Sequence, residues 1–205
     1  MVSGMSRGWA RLQAVAVSGS VAEGLMLTVL PLAAVSITTD PREVSLVQVV
    51  GQSPWLLFSL FAGVLIDRVR RTTVLGVAFA VQCVAASALV AFGVAGALSL
   101  PLLLVVAFVV TSAQVLGDGA SGALVPEVVE PDRLAAANTR LMLIDRGVVQ
   151  FVVPPVGGLL AGFGFGVPAG VAVAAALTAL VLSGAFRPRP SHRLPGTRCA
   201  ASPRG

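Results

Sequence analysis

The sequence predicts an all-α membrane protein with six transmembrane helices and both termini in the cytoplasm. Two observations carry this. Of its 205 residues, 56% are hydrophobic and only 11% are charged, whereas soluble domains carry about 25% charged residues. With a mean hydropathy of +0.93, most of the chain needs hydrocarbon as its solvent. The second observation is the placement of the arginines: when the apolar runs are laid across a bilayer, thirteen of the fourteen basic residues fall on one side. A very apolar soluble domain would need polar faces interspersed along its helices, and long stretches here have none.

A hydrocarbon core about 30 Å thick takes roughly 20 helical residues to cross. Six runs are long enough, or nearly so: 13–36, 44–66, 72–95, 100–124, 141–163 and 167–186. They must be helices, because unpaired backbone groups cannot face lipid, and a closed β-barrel would show short alternating strands. The first run follows Arg7 and Arg11, as in a signal peptide. Its apolar stretch exceeds the roughly 7–15 residues of a signal sequence, and Glu23 interrupts it, so a retained helix is expected. With the amino terminus inside, the inner segments hold Arg7 and Arg11; Arg68, Arg70 and Arg71; Arg133, Arg140 and Arg146; and the five arginines from Arg187 onward. Only Arg42 lies outside, a strong positive-inside bias. The arginines are thus topological markers, and no nucleic-acid partner is expected.

Residues 1–12 read as a cytoplasmic amino terminus and 13–186 as the transmembrane bundle. The stretch 187–205, rich in Arg, Pro, Gly and Ser, reads as a disordered cytoplasmic tail in which His192 is a solvated residue. All basic residues being Arg, beside abundant Ala, Val, Gly and Pro, fits a GC-rich genome. The expected location is the bacterial cytoplasmic membrane. Cys83 and Cys199 form no disulfide framework or metal-ligand pattern.

The most specific signal is Gly63-Val-Leu-Ile-Asp67-Arg68-Val-Arg70-Arg71, between the second and third runs. A Gly one turn before an Asp lets another helix approach closely. The Asp can pair with neighbouring arginines or accept from a facing helix amino terminus. An ordinary stop-transfer cluster would explain the arginines but neither the Gly nor the Asp. The pattern resembles motif A of the major facilitator superfamily. The preceding Pro54-Trp55-Leu-Leu-Phe-Ser-Leu-Phe-Ala-Gly63 looks like the efflux branch that includes the enterobactin exporter, as does Leu124-Val-Pro126-Glu-Val-Val-Glu-Pro-Asp132-Arg133-Leu134-Ala-Ala-Ala-Asn138. The similarity covers residues 7–186 and departs from the motif at Arg70, where many members have Gly, and at Thr72, where many have a basic residue. It implies that Gly63, Asp67, Arg68 and Arg71 form a conformational latch of an alternating-access cycle.

In the fifth run, Val153-Pro154-Pro155-Val156-Gly157-Gly158 resembles motif C of the family's exporters, with Val153 where Gly is usual. Pro154, Gly157 and Gly158 read as a hinge, since Pro kinks a helix and glycines allow close packing. Gly and Pro are also common in membrane helices generally.

Glu23 lies within two residues of the middle of the first run. A carboxylate there must face a cavity, pair, or stay protonated. It either couples proton or cationic-substrate movement or forms a helix–helix hydrogen bond. Asp118, between Gly117 and Gly119, is a second candidate for proton or substrate coupling; Asp145 and Arg146 are expected to begin the fifth helix. An offset of 95 residues maps Glu23 onto Asp118, Pro31 onto Pro126 and Gly63 onto Gly158. That would relate helices 1–3 to 4–6, a 3+3 repeat as in this transporter fold.

The sequence contains no catalytic triad, phosphate loop or His/Cys metal cluster, so no enzyme activity, cofactor or metal is expected. Any transport would be secondary. The resemblance implies the amino-terminal six-helix half of a transporter fold, moving a small amphipathic substrate outward by proton antiport within a lipid bilayer. Six helices are half the family's usual set, which leaves a homodimer, a separately encoded second half, or an inactive truncated fragment. The alternative reading is a non-transporting membrane subunit or scaffold.

Overall fold

The computed structural model describes residues 7–58, 69–164 and 166–184. Among these there is no strand. The chain forms α1 (Arg7–Ile37), α2 (Pro41–Phe58), α3 (Arg71–Val94), α4 (Leu100–Val128), α5 (Leu134–Gly147), a π-helical segment (Val148–Val152), α6 (Val153–Ala161) and α7 (Gly166–Gly184). Among the described residues, five stretches are long and apolar enough to cross a membrane: Gly8–Ile37, Arg71–Val94, Leu100–Val128, Pro131–Ala161 and Gly166–Gly184. The expected second span, 44–66, begins within α2 and continues into residues outside the described ones.

Local chemistry sets the element ends. Asp40 precedes α2, its carboxylate accepting from the Arg42 N–H at 2.8 Å, with Pro41 and Glu43 in the first turn, a favourable helix start. Gly96, at φ +66°, ends α3, and the Ala97 N–H returns to the Phe92 carbonyl at 2.9 Å. A left-handed residue just past the last turn favours Gly.

The fifth span differs from expectation. It starts at the turn Pro131–Arg133 and runs on through α5, so Asp145 and Arg146 lie near the end of α5 rather than at a helix start. The segment around Ala135, Ala136 and Ala137 is strongly helix-forming though too polar to read as membrane-embedded. The π-helical segment that follows has a physical cause. Pro154 and Pro155 supply no N–H, and their rings crowd the preceding turn. The ladder widens just before them, with the Val153 N–H reaching the Val148 carbonyl five residues back.

The packing centres on α1, which lies against α7, α4 and the α5–π–α6 span; α3 packs on α4 and α7, and α2 on α4. Beside a small cluster of Ala22, Cys83 and Ala176, two large apolar clusters form the interior of the described residues. One contains Trp9, Leu12, Leu75, Phe79 and Leu124; the other contains Leu25, Val29, Leu89, Leu103 and Val106. Along α1 and α3 the chain passes from the first cluster to the second, and along α4 in reverse. Polar residues occupy the crossover on each helix: Ser20 and Glu23, Gln82, and Gln114.

Glycines set the closest approach. A Cβ on Gly24 would stand 2.9 Å from both Cβ and Cγ1 of Val153, and one on Gly157 would stand 3.2 Å from Thr28 Cγ2. Val153, which departs from the exporter pattern, is thus accommodated by a glycine on the facing helix. A Cβ on Gly158 would meet nothing within 4 Å.

Candidate functional site

Four helices contribute to one polar cluster. Gln114 on α4 is its hub. Its Nε2 donates to Glu23 Oε2 on α1 at 2.7 Å and to Asp118 Oδ1, one turn on along α4, at 3.0 Å. Its Oε1 accepts from Gln82 Nε2 on α3. An amide nitrogen has two hydrogens and the carbonyl two lone pairs, so a single side chain ties both carboxylates to a third helix. On the other flank, Ser20 Oγ donates to Asp145 Oδ1 on α5 at 3.0 Å. Arg146 lies within electrostatic reach of both Glu23 and Asp118.

Desolvation explains why these partners are required. A buried polar group without a partner costs about 1–3 kcal/mol, and Ser20, Gln82 and Gln114 are the polar residues buried between the two clusters. One atom remains unanswered: Gln82 Oε1 is buried without a hydrogen-bond partner among the described residues.

The cluster borders a cavity of about 390 Å³ whose wall includes Gln82, Gln114, Asp118, Asp145 and Arg146, with Trp55 and Phe79 as aromatic neighbours. Its size suits a small ligand, and its mixture of apolar walls with a few polar groups is typical of binding pockets. A second cavity of about 420 Å³, between α3 and α4, is lined by residues such as Val77 and Phe108 and has no charged group. Its walls offer nothing to orient a ligand.

Arg71, at the start of α3, marks a second site. Its guanidinium donates to the Ala123 carbonyl at 2.8 Å and to Glu127 Oε1 at 2.9 Å. Both acceptors lie toward the carboxyl end of α4, where a cation also complements the helix dipole. About a third of each charged side chain is exposed, so the ion pair adds little stability, within about 1 kcal/mol. Replacing Arg71 with Ala should therefore leave the unfolding temperature nearly unchanged; a large drop would show that the contact is structural.

The expected site residues separate accordingly. Glu23 and Asp118 come together on Gln114. Arg71 reaches α4, whereas Gly63, Asp67 and Arg68 lie outside the described residues. Gly157 lies in α6 against Thr28 and Leu25 of α1, Pro154 is exposed in the first turn of α6, and Gly158 borders open space. Sequence reasoning passed over Gln82, Gln114 and Ser20. The available signal was a carboxamide inside an apolar run, which needs a partner wherever it is buried. Among the described residues no His/Cys/Asp/Glu group could hold a metal ion.

A family model described as Major Facilitator Superfamily matches residues 14–201. The match takes in every member of the cluster. No curated protein matches the chain.

Proposed function

Since the chain belongs to the Major Facilitator Superfamily and is thus a membrane transporter, we propose that it is a secondary active exporter that moves a small amphipathic molecule outward in exchange for protons. The observation that carries this reading is the pair Glu23 and Asp118, on two membrane-spanning helices, held by one amide beside a ligand-sized cavity. Carboxyl groups within the bilayer are costly and mark ion or substrate pathways. Bridged by Gln114, these two can take up and release a proton while remaining hydrogen-bonded. Midplane sites at the interface of helical repeats suit such a role, and the 95-residue offset that relates Glu23 to Asp118 supports a 3+3 arrangement.

The other roles follow from the same reading. The segment from α2 onward completes a sixth span, with both termini in the cytoplasm of a bacterial cell. Gly63, Asp67, Arg68 and Arg71 act as the latch; the Arg71–Glu127 contact between α3 and α4 supports this. Pro154, Gly157 and Gly158 act as the hinge, supported by the π-helical segment immediately before them. Arg146 and Gln150 are exposed within a membrane-crossing stretch. Hydrocarbon is a poor neighbour for either, which supports a water-filled passage closed by a second six-helix unit or a second copy.

The test is uptake into everted vesicles, whose outer face is the cytoplasmic one, with a panel of cationic, neutral and anionic fluorescent amphiphiles. At least one should be moved only while a proton gradient stands, and Glu23→Gln should abolish that movement by at least about tenfold, the scale of losing an essential proton carrier. Gradient-dependent transport that survives Glu23→Gln would remove Glu23 from the coupling role.

A further inference from the structure

The π-helical segment Val148–Val152 holds one residue more than an α-helix of the same length. Its closing hydrogen bond runs from the Val153 N–H to the Val148 carbonyl, five residues back. A proline inside a membrane helix is accommodated in two ways, by a local π turn or by a kinked α-helix. The two forms differ by one residue of register. Packing does not hold the segment to either of them. None of its residues is buried, its span is the least buried of the five among the described residues, and a Cβ on the adjoining Gly147 would meet nothing within 4 Å. Beyond it the helix is fixed on α1, through Val153 against Gly24 and Gly157 against Thr28. A change of register is therefore taken up on the α5 side.

Withdrawing the extra residue passes each place on α5 to the next residue along the chain, a turn of about 100° and a slide of about 1.5 Å. The place of Asp145, 3.0 Å from Ser20 on α1, then goes to Arg146. On the wall of the cavity of about 390 Å³, Met142 takes the place of Leu141. Leu143, exposed outside that wall, takes the place of Met142. Ser20 and Glu23, three residues apart, share one face of α1, so a guanidinium beside Ser20 also meets the Glu23 carboxyl. Both Glu23 and Asp118 already lie within its electrostatic reach. The neighbouring elements bring no rival to this pairing. Next to Gln114, α3 contributes the neutral Gln82. Before α5, Glu130 and Asp132 pair with Arg133, and on α5 itself Arg140 is exposed.

We propose that this span is a register switch. With Glu23 and Asp118 protonated, the π turn stands and Asp145 faces the cluster. When both give up their protons to solvent, the π turn reverts to α, Asp145 is withdrawn, and Arg146 is set against the two carboxylates. Each form is the one its charges favour, since a guanidinium pairs strongly with carboxylates and gains little from neutral carboxyls. One place on the cavity wall thereby changes sign, from an acidic to a basic side chain. The switch rests on the reading of Glu23 and Asp118 as proton carriers and adds how their charge reaches a moving helix.

The test is thiol labelling of the purified full chain in phosphatidylcholine nanodiscs, with Cys83→Ala and Cys199→Ser as background. Leu141→Cys and Leu143→Cys are reacted separately with 2-hydroxyethyl methanethiosulfonate, an uncharged reagent that attacks only a hydrated thiolate. In acidic buffer Leu141→Cys should label faster than Leu143→Cys. In alkaline buffer the preference should reverse, the ratio of the two rates changing about tenfold or more, as for a population moved from mostly one form to mostly the other. Glu23→Gln combined with Asp118→Asn should keep the acidic pattern in both buffers. Arg146→Gln should do the same, and Arg146→Lys should restore the reversal. Pro154→Ala combined with Pro155→Ala removes the cause of the π turn and should favour Leu143→Cys throughout. The ratio measured without those proline changes decides the matter even where that variant fails to fold. A ratio that is the same in both buffers overturns the inference, and so does a reversal that survives Arg146→Gln. A register change without proton-coupled transport would count against the exporter reading alone, and proton-coupled transport at a fixed ratio would count against this inference alone.

Discussion

Replacing Gln114 with Leu should abolish transport and lower the unfolding temperature sharply. The substitution strips a donor from Glu23 and Asp118 and leaves Gln82 Nε2 without its acceptor. At about 1–3 kcal/mol for each buried group left unpaired, the loss is several kcal/mol unless water enters. Asn at 114 keeps the amide but is one methylene shorter. It cannot span the same two carboxylates, so it should recover part of the stability and little of the coupling. Thermal unfolding in nanodiscs and transport in vesicles, measured on both variants, check this. Gln114→Leu with unchanged stability and unchanged coupling would show that the bridge has no role.

Gly24→Ala is expected to have the second-largest effect, and it carries its own rescue. The new Cβ would stand 2.9 Å from Val153 Cβ and Cγ1. Those atoms lie next to the backbone of α6, and Val153 is only 3% exposed, so relief requires the helices to move apart. Overpacking of this kind costs about 1–3 kcal/mol. Adding Val153→Gly removes the obstructing side chain, so the double variant should recover most of what Gly24→Ala loses. A double-mutant cycle on unfolding temperature reads the coupling directly. Simple additivity of the two changes would contradict the contact between α1 and α6.

The sequence made the class of protein legible because composition and arginine placement are global properties that survive uncertainty in any one boundary. Glu23 and Asp118 were legible for a similar reason: a carboxyl group in an apolar run needs an explanation wherever the run lies. What joins them was not legible. Gln114 lies 91 residues from Glu23 and 32 from Gln82, and no local periodicity encodes a hydrogen bond between three helices. The start of the fifth span was misplaced because helix propensity, carried by Ala135 to Ala137, continues where hydropathy stops. Val153, which stands where the resembled motif usually has a glycine, is also instructive. The close approach that a glycine would allow is met by Gly24 on α1, a substitution across helices that a pattern read along a single helix does not reveal.

The proposed exchange of a proton for substrate at Glu23 and Asp118 is most directly tested by following internal pH and probe movement together in proteoliposomes. Protons should move opposite to the probe, in a fixed ratio, with both fluxes lost together in Glu23→Gln. Probe movement with no proton counter-flow would contradict it.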